Sequence, residues 1–232
     1  MGAVITVWDV PDRAKLLPPE GIEVGMEMAS AVFRYLDRLE IELRIENMQR
    51  AVDAGRRLDR YGYDQAIMDR SKVPEELIPR DLVMQTGATI PDFYSNFGFF
   101  FVSTAFKDLV QEFDGDVHQF TPVKIVDKTG APYEKSEFFY FKNCQILNTV
   151  DDTKPGLNFS KSRLRKAKLG DPTPFTLSST ENFSVFSEAV GGAGIWIELR
   201  GLTNTYASEA FLKKAAEIGL TGFSHRCNFD EI

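Results

Sequence analysis

The sequence predicts an α+β fold, with a mainly helical region over residues 1–85 and a mixed sheet over 86–232. Two strand–Ser–x–Ala–Phe–helix units pack on that sheet, and the two regions can also form one continuous fold. Three observations carry the prediction. Residues 25–58 are rich in Met, Leu, Glu, Arg and Ala, all good helix formers. From Ile90 onward, aromatic and β-branched runs alternate with turn residues. Finally, Phe101-Val102-Ser103-Thr104-Ala105-Phe106 is echoed by Tyr206-Ala207-Ser208-Glu209-Ala210-Phe211.

Val4, Ile5, Val7 and Trp8 form a first, buried strand, and Pro11, Pro18 and Pro19 mark an irregular segment after it. Met26, Ala29, Phe33, Leu36 and Leu43 then recur about once per turn, and Ile41, Ile45, Met48 and Val52 make a second stripe. A competing signal sits inside this helix, because Leu39, Ile41, Leu43 and Ile45 alternate with charged residues as a half-buried strand would. A second helical piece covers 64–70, and Pro74 and Pro79 end the helical region.

The first unit is organised around Phe97 to Ile125. Phe97 and Phe99 to Val102 suit a buried strand. Ser103 stands where a helix N-cap belongs, since its hydroxyl can accept from a backbone N–H one turn on. Phe106, Leu109, Val110 and Phe113 give the helix an apolar face, Asp114-Gly115-Asp116 breaks it, and Gln119 to Ile125 alternates as a strand. Asp127-Lys128-Thr129-Gly130 is a turn, and Phe138 to Leu147 is a strand with room for a bulge. Residues 151–156 read as a loop and 160–169 as a polar hairpin or helix. Gly191-Gly192-Ala193-Gly194 is a tight connection into the strand Ile195 to Leu199. In the second unit Leu212, Ala215, Ala216 and Ile218 line the helix, Gly219 is its C′ glycine, and Gly222-Phe223 opens a last strand.

Composition narrows the function. Of the 232 residues, 43% are hydrophobic and 26% charged, which describes a globular chain and not a disordered one. Nineteen phenylalanines supply large apolar area per position and material for an aromatic binding surface. A net charge of −7 repels nucleic acid and anionic membrane and suits a basic protein partner. Cys144 and Cys227 have neither metal spacing nor a CxxC neighbour, so they read as reduced thiols of a cytoplasmic protein. Residues 1–10 lack the basic start of a signal peptide, and no apolar run is long enough to span a bilayer.

His118 and His225 are the only histidines, and His225-Arg226-Cys227 could form a thiol–imidazole pair. A nucleophile site also needs an orienting group and an oxyanion hole, which nothing in the pattern supplies. The sequence therefore predicts no catalytic residue, no cofactor and no metal. Gly191 to Gly194 precedes a strand, whereas a phosphate loop follows one and opens a helix. The basic run Lys161 to Lys168 reads as a solvated face against the negative net charge. Acidic turns at Asp114 and Asp116 and at Asp151 and Asp152 are solvated loops or a partner-facing rim.

Across residues 80–229 the chain resembles immunity protein family eleven of bacterial polymorphic-toxin systems. The resemblance rests on Pro91-Asp92-Phe93, Phe101 to Phe106, His118-Gln119-Phe120-Thr121-Pro122-Val123 and Asp127 to Gly130. It continues through Asn143, Val150-Asp151, Ser208, Ala210-Phe211 and Gly219-Leu220-Thr221-Gly222-Phe223, in that order. It implies a cytoplasmic protein of interbacterial competition that neutralises a cognate toxin by stoichiometric contact, with no catalytic residues. An acidic rim at Asp114, Asp116, Asp151 and Asp152 would then steer a basic toxin. The alternatives are a small hydrolase using His118 or His225 and an interaction scaffold without a toxin.

Overall fold

A computed structural model describes residues 1–7, 16–17, 30–31, 72–84, 89–96, 99–151, 153, 157–159, 175–177, 183–198 and 205–232. Two six-stranded sheets dominate. One takes the order β11-β14-β1-β13-β12-β8, formed by Phe183–Val185, Phe223–Glu231, Gly2–Val7, Thr205–Ala207, Ile195–Glu198 and Ile146–Leu147. The other takes the order β2-β3-β6-β7-β5-β4, formed by Leu16–Leu17, Asp81–Met84, Gln119–Val126, Phe138–Lys142, Phe99–Ser103 and Phe93–Asn96. Leu157–Phe159 (β9) and Phe175–Leu177 (β10) pair separately as an antiparallel ladder.

The helices among the described residues are few. Helix α1 (Thr104–Asp114) joins β5 to β6, α2 (Ser187–Val190) follows β11, and α3 (Glu209–Glu217) joins β13 to β14. The hydroxyl of Ser103 accepts from Phe106 N–H at 3.3 Å, and Ser208 accepts from Phe211 N–H at 3.3 Å. Each serine thus satisfies a donor that the helix cannot pair internally. Gly219 takes φ +74 one residue past the cap of α3, a conformation that costs glycine nothing.

The two long helices lie in one shared core. Phe106, Leu109 and Val110 from α1 meet Phe211 and Ala215 from α3, with Ile5, Phe93, Val102, Phe141, Ile195 and Ala207 contributed by both sheets. Phe106 and Phe211 are fully buried, and their rings meet edge to face at 5.9 Å. Strand alternation then sends neighbouring residues to the opposite faces, because successive side chains point to opposite sides. Phe99, Phe101, Phe138 and Tyr140 pack with Val73, Ile78 and Leu82 on the far side of the second sheet. Val4, Trp196, Tyr206 and Phe229 pack with Phe183 and Val185 on the far side of the first.

The expected fold class needs correcting. The described residues are mainly β with a few short helices, not an α+β fold with a helical N-terminal region before a single mixed sheet. Within residues 1–85, β1 pairs with both β13 and β14, and β3 pairs with β6, so early strands build the sheets. Helix propensity measures local preference alone, and the partners of β1 lie some 200 positions away. The helical pieces expected over 25–58 and 64–70 fall, but for Ser30 and Ala31, outside the described residues, as does the hairpin or helix at 160–169. The expected single strand from Phe138 to Leu147 is two strands in two sheets. The chain turns at Asn143, whose Oδ1 accepts from Gln145 N–H at 3.1 Å, and crosses from β7 to β8.

Candidate functional site

A buried polar cluster lies where the chain crosses between the sheets. Asp114, the last residue of α1, presents its carboxylate to β12 of the first sheet. Its Oδ1 accepts from Gly194 N–H at 2.7 Å and its Oδ2 from Ile195 N–H at 3.1 Å. His118 Nε2 lies 3.1 Å from the same Oδ2, and both side chains are buried. His118 Nδ1 accepts from Cys144 N–H at 3.2 Å. A donor at Nδ1 places the ring proton on Nε2, which then donates to Asp114.

Chemically, this arrangement holds backbone in place. A general base needs a lone pair facing the proton it removes. The accepting nitrogen of His118 is committed to the Cys144 amide, and the bond runs to that backbone N–H, not to the sulfur. The Cys144 thiol donates instead to Lys142 O at 3.4 Å. His225 is exposed on β14 opposite Ile5, and Cys227 stands opposite Val4. The two histidines therefore sit in separate surroundings, one in the seam and one on the surface. Among the described residues no group of three or more His, Cys, Asp or Glu side chains is placed to hold a metal.

The four acidic residues of the expected rim occupy different settings. Asp114 is enclosed, as above. Asp116 is exposed and accepts from Gln111 Nε2 at 3.0 Å. Asp151 is buried, and its Oδ1 accepts from Thr153 N–H at 2.9 Å and Thr153 Oγ1 at 2.6 Å. Asp152 lies outside the described residues, as do the basic run at 161–168 and Arg226's side chain. Asp114 and Asp116 do not form a two-carboxylate site, since one is enclosed and the other exposed.

A second carboxylate ties the halves at the surface. Asp92 Oδ1 accepts from Ser103 Oγ at 2.7 Å, and its Oδ2 accepts from Thr221 N–H at 2.9 Å and Thr221 Oγ1 at 2.8 Å. A third, Glu198, is fully buried and accepts from the backbone N–H and hydroxyl of Thr149 at 2.8 and 2.9 Å.

Sequence reasoning did not single out Phe186 and Ile232. Phe186 is 45% and Ile232 54% exposed, and they line one open groove with Glu188 and Ala189. The available signal was alternation. Phe183 and Val185 point into the core of the first sheet, so Phe186, next in line, cannot share their face.

A family model described as Immunity protein family (Imm11) matches residues 29–227, most of the chain. The match begins well before residue 80, where the resemblance read from the motifs starts. No curated protein matches the chain.

Proposed function

We propose that this chain, which belongs to the immunity protein family (Imm11), neutralises its cognate bacterial toxin by tight one-to-one binding in the cytoplasm. The family match carries this reading. The hydrogen bonds of the buried His118 support it, since Nε2 faces Asp114 and Nδ1 accepts from the Cys144 amide.

The net charge of −7 favours a basic toxin domain, and opposite charge speeds encounter. Asp116 offers an exposed carboxylate at the end of α1, and Asp151 lies beside β11, its N–H donating to Ser184 O. Asp114 adds to the field while its oxygens are occupied within the fold. Neutralising Asp116 and Asp152 together should slow association about tenfold at low salt and leave dissociation nearly unchanged.

The deciding experiment is co-expression in a bacterial host with the toxin domain encoded beside this chain. Restored growth and a one-to-one complex by light scattering are the expected outcome. Toxicity unchanged by co-expression, with no complex between the purified proteins, overturns the reading.

A further inference from the structure

Five large apolar residues stand exposed among those described: Met1, Val117, Phe186, Ile218 and Ile232. Three of them gather at one corner of the first sheet. Phe186 and Ile232 line an open groove of about 450 Å³ with Glu188 and Ala189. Met1 adjoins Gly2, which pairs with Phe229 on the neighbouring strand. Carboxylates frame the corner. Glu188, Glu209 and Asp230 are exposed, and Glu231 Oε1 accepts from Glu209 N–H at 2.9 Å.

The apolar side chains are exposed while their backbone is fixed. Phe186 N–H donates to Thr149 O at 2.8 Å, and Phe186 O accepts from Ala189 and Val190 N–H at 3.0 and 3.1 Å. Ile232 N–H donates to Val185 O at 2.9 Å, and Ile232 O accepts from the backbone N–H and hydroxyl of Ser187 at 2.8 and 2.9 Å. An aromatic ring held out on a fixed backbone costs little further ordering when a partner covers it. Aromatic anchors of this kind dominate binding energy, and charges around them set the rate of encounter. Val150 and Asp151 adjoin the corner, since Asp151 N–H donates to Ser184 O at 2.9 Å and Val150 bridges Val185.

We infer that the Phe186–Ile232 groove is the surface on which the cognate toxin docks, taking an apolar side chain from a cationic segment of the toxin. Phe186 and Ile232 form the anchor. Glu188 and Asp230 form the charged frame, which matches a cationic segment and repels an acidic one. The inference rests on the toxin-binding reading above and gives that reading a location.

The test is titration calorimetry and stopped-flow mixing of the full chain with the toxin domain encoded beside it. Phe186→Ala and Ile232→Ser are measured separately, and Val117→Ser serves as an exposed apolar control outside the groove lining. Phe186→Ala should weaken binding by at least about 30-fold, mostly through faster dissociation. Ile232→Ser should weaken it in the same direction, and Val117→Ser should leave it unchanged. Glu188→Lys with Asp230→Lys should slow association about tenfold at low salt. Both anchors are exposed, so their variants keep the melting temperature, and two independent variants guard against a local defect in one. Wild-type binding that survives both anchor substitutions overturns the groove and leaves the toxin reading standing. Absence of wild-type binding overturns both.

Discussion

The two sheets contain the same five-strand arrangement, and the differences between the two copies show what holds them together. In one, β3 runs parallel to β6, and β6, β7, β5 and β4 follow antiparallel in turn. In the other, β11 runs parallel to β14, and β14, β1, β13 and β12 follow antiparallel in turn. A helix capped by serine joins β5 to β6 in the first and β13 to β14 in the second. The equivalence reaches single hydrogen bonds. Ser103 N–H donates to Asp92 O and Ser208 N–H to Gly194 O, each at 2.9 Å. Only chain order differs, for the central strand is β7 in one copy and β1, from the other end of the sequence, in the second.

The apolar core is symmetric and the polar seam is not. Asp92 and Asp114, both of the first copy, reach the backbone of Thr221, Gly194 and Ile195 in the second. At the matching places the second copy has Gly194 and Gly219. At Gly194 the reason is close approach, since a Cβ there would stand 2.7 Å from the Cβ of Phe113. One copy supplies carboxylates, and the other supplies bare backbone to meet them. At Asp114 that division satisfies the N–H groups of buried Gly194 and Ile195 without facing two carboxylates at each other.

The largest effect should come from the symmetric part. Phe106→Ala and Phe211→Ala should each cost about 3–5 kcal/mol in chemical denaturation, as truncation of large buried aromatics does. Equal losses support equivalence, and a loss below about 1 kcal/mol at either position breaks it.

The asymmetric part comes next. Asp114→Ala leaves the amides of Gly194 and Ile195 and the His118 ring without an acceptor, which should cost about 1–3 kcal/mol per buried donor. Gly219→Asn, at the matching position, should change stability far less, because asparagine tolerates the left-handed region better than other side chains. A comparable loss from both would mean that the seam contributes nothing of its own.

The caps give a finer test. Ser103→Ala and Ser208→Ala should each cost about 0.5–2 kcal/mol. Ser103 should cost more, since its hydroxyl also donates to Asp92. Urea midpoints of the two variants, with Asp92→Asn as background, separate the cap from the tie. An Asp92→Asn background that leaves the gap between the two serines intact would refute this assignment.

The smallest effect concerns the turn that only the first copy has between its helix-linked and central strands. Hydrogen bonds from the Thr129 hydroxyl and amide, and then from the Ala131 amide, hold the Asp127 carboxyl below its ordinary 3.8. A carboxyl with a depressed folded pKa stabilises above its unfolded value, and that contribution is lost as pH falls through the folded one. The gap in melting temperature between wild type and Asp127→Asn should therefore be present at pH 7 and shrink below about pH 4. A gap independent of pH would assign the effect to turn geometry instead of charge.

Local features were legible because their physics is local. Ser103 and Ser208 as caps, Gly219 past a helix end, the Asp127–Gly130 turn and the strand from Ile195 each depend on a few neighbouring residues. Family resemblance was legible for a related reason, because the order of such short signatures survives along the chain. Tertiary structure alone decided that there are two sheets instead of one, that β1 lies between β14 and β13 in one of them, and that Phe138 to Leu147 divides between them. It alone decided that Asp114 and His118 lie buried in the seam while Phe186 and Ile232 face outward. A strand's alternation shows that it has two faces, but which face is covered depends on segments far away in sequence.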